Sequence, residues 1–110
     1  MAVDQMDVVD FVSTAENGDC HLTISDHLEW EGNDDHMLIL QDKLNRYLAF
    51  IESGELVEKF PDVAGKRIII DVRFMHAPTN LGFEFLSRIG KSIDEAGYGF
   101  EYKMLRKMIN

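Results

Sequence analysis

The run from Lys66 to Leu86, KRIIIDVRFMHAPTNLGFEFL, places a strand, a short turn and the start of an amphipathic helix one after another with no linker between them. Ile68, Ile70, Val72 and Phe74 alternate with Arg67, Asp71 and Arg73, leaving Ile69 as the exception. A segment this apolar reads as a central strand with one strongly buried face. Pro78 ends it, and Thr79 or Asn80 is placed to cap a helix over Leu81 to Ala96 whose apolar stripe is Phe85 or Leu86, Ile89, Ile93 and Ala96. Gly90 sits beside that stripe, where the lack of a side chain would let the helix approach a sheet closely. Gly97 closes the helix, and a last strand is expected from Tyr98 to about Leu105.

The first half supplies the remaining elements. Val8 to Ser13 favours a strand, Glu16-Asn17-Gly18-Asp19 is a hairpin signal, and Cys20 to Ser25 alternates as a second strand with Cys20, Leu22 and Ile24 on one face. Residues 1 to 7 read as a loose polar lead. After the connection Asp26 to Asp35, DHLEWEGNDD, the positions Met37, Leu40, Leu44, Tyr47, Leu48 and Ile51 recur at helical spacing up to Ser53, and Gly54 ends the helix. Glu55 to Lys66 is a connection whose Leu56, Val57 and Phe60 suggest that it packs down.

The order is therefore ββαβαβ. One apolar stripe per helix and one apolar face per strand make an α/β two-layer sandwich the expected fold: a four-stranded mixed sheet with both helices on one face. Right-handed crossovers make strands two to four parallel, with the first antiparallel to the second. At 110 residues with 45% hydrophobic side chains, the chain is expected to form a single globular domain, 1–110.

Charge narrows the partners. Residues 1–62 hold 15 acidic and 3 basic side chains, residues 63–110 hold 5 and 8, and the net charge is −9. A phosphate-binding surface needs clustered Lys and Arg, so nucleic acid is not expected as a partner. A lone Cys20 cannot form an internal disulfide, and there is no signal-like segment and no apolar run near 18 residues. These features predict a cytoplasmic protein with no membrane contact.

Three constellations could carry function. The acidic connection and its flank, Asp26, Glu29, Glu31, Asp34 and Asp35 with Trp30 among them, is a candidate contact surface for another protein, possibly a basic one. Trp30 would be either its anchor or a lid on the core. Its carboxylates, with His27 and His36, match no metal-ligand spacing, and a solvated loop that caps the following helix is the simpler reading; no metal and no cofactor is expected. The turn from Met75 to Gly82 offers Thr79 and Asn80 as ligand or switch residues at a helix start. Asp71, Arg73, Glu101 and Lys103 fall on the helix-free face, where cross-strand ion pairs are expected. The basic end, Lys103 to Asn110, could seek an acidic patch on the same chain or on a second copy, which leaves a homodimer open. No nucleophile-base set and no phosphate-cradling glycine loop is present.

Two resemblances add to this. The segments DVVDFV, LTISDHLEW, LQDKLNRYLAFIESGEL and KRIIIDV and the helix end EAGYGF resemble a family of small, acidic, uncharacterised bacterial proteins known only as a domain of unknown function. The resemblance covers nearly the whole chain; it implies a bacterial cytoplasmic protein and carries no activity. Strand Arg67 to Phe74, its turn and LGFEFL resemble the sulfate-transporter and anti-sigma-antagonist domain, whose turn bears an Asp-Ser-Ser-Gly phosphorylation switch. Here Thr79 would occupy the switch position, and the Asp and the Ser pair are missing. The expectation is a non-enzymatic interaction or regulatory module acting through its acidic half, an inhibitor or immunity-type protein being the sharper version. The competing class is a small-ligand binder or enzyme using the turn at Met75 to Gly82.

Overall fold

The structure is a computed structural model and describes residues 11–30 and 35–104. Strand β1 (Phe11–Thr14) and strand β2 (Cys20–Asp26) form the hairpin; helix α1 (Asp35–Glu52), the short helix α2 (Glu55–Lys59) and a single 3-10 turn (Pro61–Val63) lead to strand β3 (Ile68–Phe74). Helix α3 (Asn80–Glu95) and strand β4 (Gly99–Met104) follow. The sheet order is β1-β2-β3-β4, with β1 antiparallel to β2 and the three others parallel. This is the expected mixed four-stranded α/β sandwich.

The elements end where local chemistry ends them. Thr79 caps α3, its Oγ1 accepting from the Gly82 amide at 3.1 Å. Gly54 and Gly97 take the left-handed conformation at φ 87° and 96°, which costs glycine nothing and other residues a clash. The connection after α1 is more ordered than its sequence suggests: Leu56 and Val63 are buried, and that burial turns two short stretches into α2 and the 3-10 turn. The first strand is described from Phe11 on; residues 8–10 of its expected span, the loose lead 1–7, Leu105 and the basic end beyond Met104 lie outside the described residues.

One core fills the space between sheet and helices. Cys20, Leu22 and Ile24 of β2 and Ile70, Val72 and Phe74 of β3 meet Leu40, Leu44 and Tyr47 of α1 and Leu86 and Ile93 of α3. The register pairs Leu22 with Ile70 and Ile24 with Val72, so the alternation of one strand continues on its neighbour. A Cβ placed on Gly90 would lie 3.2 Å from the Phe100 ring, so the missing side chain does let α3 close onto β4. Helix α1 also buries two polar residues outside the expected stripe, His36 and Lys43, and the Lys43 ammonium lies 5.4 Å from the Tyr47 ring centre.

Candidate functional site

Because β2, β3 and β4 run parallel, their carboxyl ends share one edge of the sheet; Asp26, Phe74 and Met104 are in register there. In doubly wound α/β sheets ligands bind outside this edge at the point where the strand order reverses; the order β1-β2-β3-β4 has no such reversal, so the edge here carries loops and no crevice of that kind. The acidic connection leaves it from β2 and the Met75 turn leaves it from β3. The two segments that compete in the sequence are therefore neighbours in the fold.

Asp26 closes the acidic connection from inside. Its Oδ2 lies 2.5 Å from His36 Nε2, its Oδ1 accepts from the Leu28 amide at 3.1 Å, and both side chains are buried. The other His36 nitrogen, Nδ1, lies 3.1 Å from the Glu29 carbonyl oxygen. A carbonyl can only accept, so Nδ1 carries a proton and donates to it. Trp30 stacks on the same imidazole with ring centres 3.9 Å apart and meets Phe74 edge-on at 5.5 Å. A Cβ on Gly82 would lie 2.8 Å from the Trp30 ring and 3.1 Å from Pro78, so the indole occupies the space that glycine leaves at the start of α3.

These contacts sort the sequence candidates. Asp26 is buried and committed to His36, so its carboxylate is a structural tie and not a surface contact. Trp30 is half-buried against the core, and its indole N–H is buried with no acceptor among the described residues. Glu29 and Asp35 are exposed on either side of this tie. Glu31 and Asp34 lie outside the described residues. Thr79 and Asn80 are exposed at the start of α3, and the Thr79 hydroxyl oxygen is engaged as the cap.

Apolar side chains gather at the same edge, a group that no local pattern in the sequence marks. Met75, Leu81, Phe83, Tyr102 and Met104 are each 42% to 61% exposed. Phe83 and Tyr102 approach with ring centres 6.5 Å apart, and Tyr102 also meets Phe74 and Phe100 at 6.0 Å. Phe83 falls off the apolar stripe of α3 and Tyr102 on the core side of β4, so each looks unremarkable alone. Only the packing of α3 on β4 shows them as a pair.

The helix-free face carries a second cluster. Register sets Asp71 directly beside Glu101, and Arg73 beside Lys103, so like charges stand opposite like charges. The expected pairing across the strands is thus replaced by one along β3: Arg73 donates to Asp71 Oδ2 from Nε at 3.0 Å and from Nη2 at 2.8 Å. That bond holds the guanidinium charged even more firmly than usual, raising its pKa. His21 completes the cluster, its Nδ1 3.9 Å from Asp71 Oδ2 and 3.7 Å from Glu101 Oε2.

Fold and edge together define a small two-layer α/β protein with three parallel strands, whose carboxyl edge carries the exposed Glu29 and Asp35 and a group of exposed apolar side chains. The chain belongs to a family of unknown function, DUF6572, whose model matches residues 1–106. No curated protein and no solved structure matches it. Among the described residues no helix is long and apolar enough to cross a membrane.

Proposed function

We propose that this protein is a non-enzymatic interaction module that binds another protein at the carboxyl edge of its sheet. The observation that carries this reading is the exposed Phe83–Tyr102 pair beside a tied-down acidic connection. Aromatic and methionine side chains at the centre of a patch, with charge at its rim, are the composition of a protein interface. The Asp26–His36 tie holds residues 26–30 in place before a partner arrives, which lowers the ordering cost of binding. Glu29 and Asp35 favour a partner with basic groups around an apolar contact. A lone, buried thiol suits a cytoplasmic setting.

The test is capture from native cell extract with three baits: the wild type, a Phe83→Ser/Tyr102→Ser variant, and a variant with Glu31, Asp34 and Asp35 neutralised. The expected result is a partner held by the wild type, lost by the first variant, and held more weakly and with less salt dependence by the second. The melting temperature of the acidic variant should stay nearly unchanged. Capture that is equal with all three baits would refute the reading, and a second copy of the chain as the captured partner would identify a homodimer.

A further inference from the structure

The cluster on the helix-free face has a geometry that ion pairing alone leaves unfinished. Asp71 and Glu101 are direct neighbours on β3 and β4, and carboxylates in that relation repel. The Asp71 side chain is only 1% exposed. Arg73 takes both of its bonds on Oδ2, while Oδ1 is buried with no hydrogen-bond donor among the described residues. His21 does not relieve this, because 3.9 Å and 3.7 Å to the two carboxylates are beyond hydrogen-bond reach. One imidazole and two carboxylates thus converge without bonding one another, each offering a ligand atom within 4.8 Å of the others.

We propose that His21, Asp71 and Glu101 form a site for a divalent first-row transition ion, with Zn2+ as the representative. Imidazole nitrogen with carboxylate oxygen is a donor set for such ions, and three protein ligands leave a position open to solvent. Bonds of about 2.0–2.2 Å require the three atoms to draw slightly together. Glu101 is about half exposed and has room to move onto an ion held between the fixed Asp71 and the more enclosed His21. Arg73 is the positioning residue: its two hydrogen bonds hold the Asp71 carboxylate, whose Oδ2 also faces His21 Nδ1 at 3.9 Å. With His21 neutral, the ligand set itself carries the charge of two carboxylates, and Arg73 and Lys103, the next same-face pair along β3 and β4, balance it. The site is separate from the carboxyl edge and does not depend on the docking reading.

Calorimetric titration of the full chain with Zn2+, together with melting curves, tests the site. The wild type should bind one Zn2+ per chain and melt at a higher temperature with it. His21→Gln and Glu101→Gln, at partly exposed positions that the fold tolerates, should each weaken binding by about tenfold or more. His76→Gln, on a histidine outside the cluster, should leave it unchanged. Absence of heat and of any melting shift at millimolar Zn2+ would overturn the proposal. So would binding that survives both cluster variants, or binding in which Ca2+ and Mg2+ match Zn2+ without dependence on His21, since either would mean diffuse capture by an acidic surface.

Discussion

His36 Nε2 and Asp26 Oδ2 meet at 2.5 Å inside the protein, joining the last residue of β2 to the first turn of α1 across the whole acidic connection. The bond fixes where the connection leaves the sheet and where it enters the helix. Breaking such a buried pair leaves a polar group stranded, which costs more than the pair itself contributes. His36→Ala should therefore destabilise the fold by about 3 kcal/mol or more. It also removes the surface on which Trp30 stacks, so urea unfolding followed by Trp30 fluorescence should show an earlier midpoint and a shifted native spectrum. An unchanged midpoint would mean that water replaces the pair without loss.

Gly82 is the second fixed point of Trp30. Its backbone is ordinary helix, so alanine would gain about 1 kcal/mol of helix propensity if there were space. A methyl group there would stand 2.8 Å from two carbons of an indole already stacked on His36. Overpacking of this kind costs about 1–3 kcal/mol, and a rigid ring places it at the upper end. Gly82→Ala should thus lower the melting temperature, whereas Gly82→Ala in a Trp30→Ala background should raise it above Trp30→Ala alone. A double-mutant cycle with no coupling would show that the ring yields freely.

Most of the architecture was legible because it follows from local rules. The hairpin signal at Asn17-Gly18, the alternation of β2 and β3, the Thr79 cap and the closing Gly97 each act within a few residues, and each does what its chemistry predicts. What stayed hidden depends on residues distant in sequence. Asp26 read as a surface acid because nothing local reveals that His36 comes back to cover it. Trp30 packs on His36 and in the space left by Gly82, more than fifty positions away, a contact that no local signal in the sequence reveals. The cross-strand pairs were misread by register: alternation showed that Asp71 and Glu101 share a face, but only the alignment of β3 with β4 puts them side by side. His21 was visible as a residue of the wet face of β2, yet its meeting with both carboxylates needs the order β2-β3-β4.

The Arg73 side chain should be the stronger determinant of stability on that face. It supplies both hydrogen bonds that Asp71 Oδ2 receives, while Glu101 repels the Asp71 carboxylate and attracts the guanidinium. Arg73→Met should cost about 3 kcal/mol in chemical denaturation at neutral pH, because a buried carboxylate is left without its partner. Asp71→Asn in the same background should recover part of that loss, since an amide carries no charge to strand. Lys103→Met, at an exposed position beside Arg73, should change stability by less than about 0.5 kcal/mol. Equal effects at the two cationic positions would contradict the assignment.

Cys20 gives the pH dependence its sign. The thiol is fully buried in the core, and burial raises its pKa above the ordinary value, with Lys66 opposing this weakly. In the unfolded chain the same thiol ionises near the usual value of about 8.5. The folded state thus favours the protonated form, and this contribution is fully present below pH about 8.5 and is lost as the pH rises from there through the folded pKa. Melting temperature should fall between pH 8 and pH 10 more steeply for the wild type than for Cys20→Ala. The alanine variant should be less stable at every pH because it leaves a cavity, yet lack this part of the slope. Native protein should also resist iodoacetamide at pH 8 while urea-unfolded protein is alkylated readily, and rapid labelling of the folded chain would show that the β2 end of the core opens to solvent.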